Sequence, residues 1–299
     1  MELENVVAGL KKNFDRRRFL QSTAVAGLGV AATTLIGGSA TALAAQGQGL
    51  RPGLTTKTNA TGVQDPVSKD TPAQIFTAAL IAEDLATTFY YNGLVGAVLQ
   101  DPNLAGPGGT VTHAPKGDQD NVNYIRAALF EETTHANLFR DLLGISGAAN
   151  DPVQTFYFPA GTFDTLAPFI GTLEALENAF IGAYLAAIRE FARMAAVAGT
   201  GSDFTSAELA YFSQVSAAIM GIECEHRVLG RDIESATPAN NRNYEAVDGI
   251  RTVYNGSHSA VTALTPFLTA STGPAFEFAD AVTNSSSVWM RVGGALPPE

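Results

Sequence analysis

Apolar residues recur every three to four positions in four separate stretches of this chain, the spacing that turns one face of an α-helix inward. The first stretch runs from about Pro72 to Gln100, with Ile75, Phe76, Ala79, Leu80, Glu83, Tyr90 and Leu94 on one stripe. Thr71 and Pro72 supply an N-cap and a first-turn proline, and Asp101-Pro102 is expected to end the helix. The second runs from about Asp120 to Leu143, its stripe made of Ile125, Ala128, Leu129, Glu132, His135, Phe139 and Leu142, with Gly144 as the stop. The third covers about Ala167 to Val197, with Ile170, Leu173, Glu174, Glu177, Ile181, Tyr184, Ile188 and Phe191 in line. The fourth runs from about Ser206 to Ile233 through Leu209, Phe212, Ser216, Ile219, Met220, Glu223, His226 and Gly230. The pattern predicts an all-α protein built on a four-helix bundle over residues 72–235.

Connection lengths constrain how these helices sit. Only about nine residues join the third and fourth, which makes them antiparallel neighbours. Roughly two dozen, Ile145 to Leu166, join the second and third. That length suits a crossover running the length of a bundle, with Phe156-Tyr157-Phe158 packed along its outside. Residues 236–299 are less regular, with Ser/Thr/Gly clusters and a short helix expected near Ser259 to Leu268. This extension is expected to pack on the bundle or to mediate assembly.

The N-terminal pattern differs in kind. Residues 1–45 read as an export signal: Arg16-Arg17-Arg18-Phe19-Leu20, then an uncharged Ala/Gly/Thr-rich run closing on Ala42-Leu43-Ala44, a small-x-small cleavage pattern. Arg16-Arg17-x-Phe19-Leu20 resembles the twin-arginine core, with Gln21 where lysine is common. A transmembrane anchor is the weaker reading, because few large apolar residues fill the run. The resemblance implies export of an already folded protein to the periplasm or beyond, with no stable membrane insertion after cleavage. Residues 46–71, rich in Gly, Thr, Asn and Pro, read as a linker or N-terminal arm.

Composition narrows the partners. The chain has 299 residues, 46% of them apolar, enough for a substantial core. Its formal charge of −11 argues against nucleic acid or an anionic lipid surface as a partner. Cys224 is the single cysteine, so no internal disulfide exists; burial in a packing role is expected for it.

The candidate chemistry lies on the apolar stripes. Two of the four histidines follow a glutamate by three positions: Glu132-x-x-His135 and Glu223-x-x-His226. That spacing puts both side chains of each pair on one helix face, and here the face is the inward one. The other two helices each add an inward glutamate, Glu83 and Glu177. Four carboxylates in a low-dielectric core repel one another and are costly unless paired or bound to metal. Two divalent cations would neutralise them. Tyr90 and Tyr184, each seven residues after its helix's glutamate, read as core aromatics or as hydrogen-bond partners of the ligands. Glu131 and Glu225 fall off the stripes and are expected to be solvated or interfacial. His113 and His258 fall in loop-like segments.

This arrangement resembles the ferritin-like di-iron and di-manganese carboxylate proteins, in which two helices give a Glu and two give a Glu-x-x-His. Ala79-Leu80-x-x-Glu83 with Phe89-Tyr90, Glu177 before Ala183-Tyr184, and both Glu-x-x-His segments are similar to the exported desiccation- or stress-related branch. The resemblance implies a ligand set of Glu83, Glu132, His135, Glu177, Glu223 and His226 for two manganese or iron ions, with Glu132, and Glu177 as a further candidate, bridging. Glu174, one turn before Glu177, is the alternative ligand of the third helix or an outer partner. Oxygen and nitrogen donors without thiolate suit manganese or iron. Three functions stay open at this point: an oxidoreductase acting on peroxide or dioxygen, in the manner of a manganese catalase or a ferroxidase; a non-enzymatic envelope protein; and a metal-storage protein. A homo-oligomer is compatible with each.

Overall fold

The computed structural model describes residues 70–99, 119–199, 202–236 and 264–285. The export signal, most of the 46–71 arm, His113 and His258 lie outside them. Four long helices form the body: α1 (Pro72–Val95), α2 (Gln119–Leu143), α3 (Leu166–Val197) and α4 (Ser206–Ile233). Helix α1 lies along α2, and α3 along α4, as two hairpins. No helix of the described residues is long and apolar enough to cross a membrane.

The helix ends follow local chemistry. At α1, the Thr71 side chain accepts from the Gln74 N–H while Gln74 reaches back to the Thr71 N–H, a reciprocal cap. Thr205 and Glu208 repeat the device at α4. Gly144, at φ 67°, closes α2: the Ile145 N–H donates to the Arg140 carbonyl. One end departs from expectation. Helix α1 stops at Val95, not near Gln100, because Gly96 turns the backbone to an extended conformation while its N–H caps the Asn92 carbonyl.

Packing divides the bundle interior into two apolar clusters. Leu85, Phe89, Ile125, Leu129, Phe169 and Leu173 belong to one; Phe76, Leu80, Phe139, Phe191 and Phe212 to the other. Helices α2 and α3 both run from the first cluster to the second, so they are parallel. The chain must therefore return the full length of the bundle between them, which accounts for the long connection.

That return segment is not bare loop. Thr155–Tyr157 (β1) pairs antiparallel with Ala275–Glu277 (β2), with Phe156 opposite Phe276. Phe156 and Phe158 are fully buried, and Tyr157 is half-buried. The expected helix near 259–268 appears, within the described residues, as Leu264 and the 3-10 turn Thr265–Leu268. After β2 comes α5 (Phe278–Ser285), which packs on α1 and was not evident in the sequence. The crossover and this extension cover the outer face of α1, so every residue from Ala82 to Leu94 is buried, well beyond the expected stripe.

The approach of α1 to α3 is close at Gly93. A methyl there would sit 2.3 Å from Cε2 of Phe169, whose ring is stacked on Phe89 at 4.7 Å. Gly93→Ala is expected to lower stability by about 1–3 kcal/mol through overpacking, read as a fall in melting temperature.

Candidate metal centre

Each Glu-x-x-His pair keeps its helix face because three residues nearly complete a turn. All six donors meet midway along the bundle, between the two apolar clusters. Glu83 comes from α1, Glu132 and His135 from α2, Glu177 from α3, and Glu223 and His226 from α4. Glu132 and Glu223 are 0% exposed, and Glu177 and Glu83 are at most 2% exposed.

The donors sort into two overlapping groups: Glu83, Glu132, His135 and Glu223; and Glu132, Glu177, Glu223 and His226. Within each, one ligand atom per residue lies within 4.8 Å of the others. Glu132 and Glu223 belong to both. The shared pair is thus the two Glu-x-x-His glutamates, while Glu177, considered as a bridge from sequence, falls in one group only, like Glu83. The cause is geometric: α2 and α4 present their carboxylates between the two groups, while α1 and α3 each reach only one.

The tyrosines tie the hairpins together. Tyr90 on α1 donates to Glu177 Oε1, and Tyr184 on α3 donates to Glu83 Oε1. Glu83 and Glu177 are each held by the tyrosine of the opposite hairpin, so both tyrosines are hydrogen-bond partners of the cluster as well as core aromatics.

The other candidates divide. Glu174 stands outside both groups, its Oε1 accepting from Arg231 at 2.8 Å. Glu131, expected to be solvated or interfacial, is half-buried and lies 2.8 Å from His226 Nε2. Nδ1 of the same ring faces the cluster, 3.0 Å from Glu132 Oε1 and 3.3 Å from Glu223 Oε2. Position 131 reaches across to another helix, which stripe reasoning along α2 alone does not register. Glu225 is exposed, as expected. Cys224 is half-buried and not enclosed, because it lies off the inward stripe of α4.

The donors fit a cation. Both oxygens of Glu132 and of Glu223, Glu177 Oε2 and His226 Nδ1 are buried and have no hydrogen-bond partner, although they crowd one another. Buried polar atoms left this way are rare and costly, and positive charge placed among them satisfies all of them at once.

The electrostatics agree. Burial, then Glu83, pushes the Glu132 carboxyl up. Burial and Glu132 do the same for Glu223, and burial and Glu223 for Glu177. Burial alone would lower His135, but Glu83 and Glu132 outweigh it and drive the ring to about 11. Burial is likewise overridden at His226 by Glu131, Glu132 and Glu223, which raise it well above the usual value. Burial, then the adjacent glutamates, raises both tyrosines. The metal-free cluster therefore holds protons at neutral pH.

Ligation requires those lone pairs, so metal uptake must expel protons. Affinity is expected to rise with pH and to weaken on acidification. Calorimetric titrations with manganese(II) at neutral pH, in buffers of different ionisation enthalpy, should show proton release, because the His135 ring at about 11 must lose its proton to ligate.

Among known protein families, the sequence matches the one described as Ferritin-like domain over residues 71–236. The chain belongs to the ferritin-like family. No curated protein and no solved structure matches it. In this ferritin-like protein the two helix hairpins and the long crossover place the buried Glu/His clusters where two metal ions could be held.

Beside the centre lies a second buried charge group with no counterpart in the sequence reading. Arg140 donates to Asp84 Oδ1 at 2.7 Å and to Asp151 Oδ2 at 2.6 Å, with its guanidinium 5.5 Å from the centre of the Phe278 ring. It joins α1, α2, the crossover and α5, one residue away from Glu83. Burial, then Asp151, raises Asp84 well above the usual carboxylate range. Asp84 falls off the ligand stripe, and Asp151 sits in a loop, so nothing in the local pattern couples them to Arg140.

Proposed function

We propose that this chain is an exported, desiccation- or stress-related ferritin-like protein that binds two manganese or iron ions and removes peroxide or consumes dioxygen. The observation that carries the reading is the pair of overlapping donor groups sharing Glu132 and Glu223. When bound, the ions would supply the redox change that peroxide or dioxygen chemistry needs. The chain's own part is to hold them dry and adjacent. Glu83 and Glu177 would each help hold one ion, positioned by Tyr184 and Tyr90 respectively. The shared carboxylates keep the two positions close, and the apolar clusters on either side exclude water from the ends. The Arg16-Arg17-x-Phe19-Leu20 segment supports export of the folded, loaded chain by the twin-arginine route.

The test is the metal content of protein purified after native export, followed by peroxide consumption. About two equivalents of manganese or iron per chain with metal-dependent turnover supports the enzyme. Bound metal without turnover points to storage or to an envelope scaffold, and protein without metal overturns the reading.

A further inference from the structure

The two donor groups are near-symmetric but not equal. We infer that the position around His226 fills first and holds its ion more tightly, while the position around His135 is the weaker, exchangeable one. The inference rests on the di-metal reading above and assigns Glu131 as the positioning residue that creates the difference.

A neutral imidazole that ligates through Nδ1 must carry its proton on Nε2. Glu131 Oε2, 2.8 Å from His226 Nε2, is an acceptor for that proton. It selects the ligating tautomer and fixes the ring plane with Nδ1 turned toward Glu132, Glu223 and Glu177, at 3.0, 3.3 and 3.8 Å. A carboxylate in this place also raises the basicity of the ligating nitrogen. The His226 side chain is 3% exposed, so nothing from solvent competes for Nδ1.

The helix repeat breaks at this point. Glu131 precedes the first Glu-x-x-His glutamate, Glu132; the residue preceding the second, Glu223, is Ile222. A hydrocarbon accepts no hydrogen bond, so the repeat supplies His135 with no equivalent of Glu131. His135 Nδ1 is also set further from the shared carboxylates, 3.6 Å from Glu132 and 3.7 Å from Glu223. Its side chain is 12% exposed, so it is the cluster ligand nearer to solvent.

Manganese(II) titration of the metal-free full chain, followed by calorimetry and by electron paramagnetic resonance of unbound ion, reads both positions. The expected result is two steps of unequal affinity. Glu131→Ala should weaken the first step by about 10–100-fold and leave the second nearly unchanged. Glu131→Gln, which retains an accepting oxygen, should restore part of the loss. His226→Ala should abolish the tight step, and His135→Ala only the weak one. Two steps of equal affinity, or a Glu131→Ala variant that weakens both alike, overturn the inference while leaving the di-metal reading intact. A parent chain that binds no divalent ion overturns the di-metal reading itself.

Discussion

Replacing Glu132 by alanine is expected to remove both metal ions, not one, and with them any peroxide consumption. Glu132 stands in both donor groups, so its loss leaves each with one carboxylate fewer where the two groups overlap. The fall in affinity should exceed the roughly 10–100-fold typical of losing an outer hydrogen-bond partner. Glu83→Ala and Glu177→Ala provide the contrast: each touches one group and should cost one equivalent. The isosteric Glu132→Gln separates binding from folding. It removes a buried carboxylate that burial and Glu83 already push toward the neutral form. The metal-free variant should therefore melt no lower than the metal-free parent, while manganese stabilises only the parent, by mass action on the folded state. Metal analysis and paired melting curves decide the matter. A Glu132→Ala protein that retains one full equivalent would show that the carboxylate is not shared.

Arg140→Met carries the largest expected cost to the fold itself. The substitution keeps an unbranched chain of similar reach but strands Asp84 and Asp151, both buried and both bonded to the lost guanidinium. Removing one partner of a buried charge group typically costs about 3–5 kcal/mol. In a domain of this size that corresponds to a melting temperature lower by on the order of 10 °C. The damage should be directional. Arg140 also lies against Phe278, so residues 264–285 should exchange amide hydrogens faster than the α3–α4 hairpin. Neutralising the group together, as Arg140→Met with Asp84→Asn and Asp151→Asn, should recover much of the loss, because no buried charge is then left alone. Unchanged melting in the single variant would show that the network contributes no net stability.

The course of the four helices was legible because a helix advertises itself locally. Apolar residues at spacings of three and four, Thr71-Pro72 at one start and Gly144 at one stop are all read within a few turns. The same locality made the donors legible. Glu132 with His135, and Glu223 with His226, share a face whatever the rest of the chain does, and a carboxylate inside an apolar stripe needs a reason. Glu177 and Glu174 share a stripe, but the structure places Glu177 in the cluster while Glu174 turns to Arg231. Strand pairing between Thr155–Tyr157 and Ala275–Glu277, and the short helix Phe278–Ser285, left almost no trace. Three residues make no alternation to speak of, and an eight-residue helix that buries little beyond Phe278 and Ala281 shows no period.

The sequence by itself determined which residues lie on the inward helix faces, and so that six particular donors exist. A helix's own 3.6-residue repeat settles that question one segment at a time. Only the tertiary structure decided which glutamates are shared, that Glu131 holds His226, and that Arg140 joins Asp84 to Asp151. Those relations depend on the axial offset and rotation of one helix against another. Packing of distant segments sets these quantities, and no spacing within a single segment encodes them.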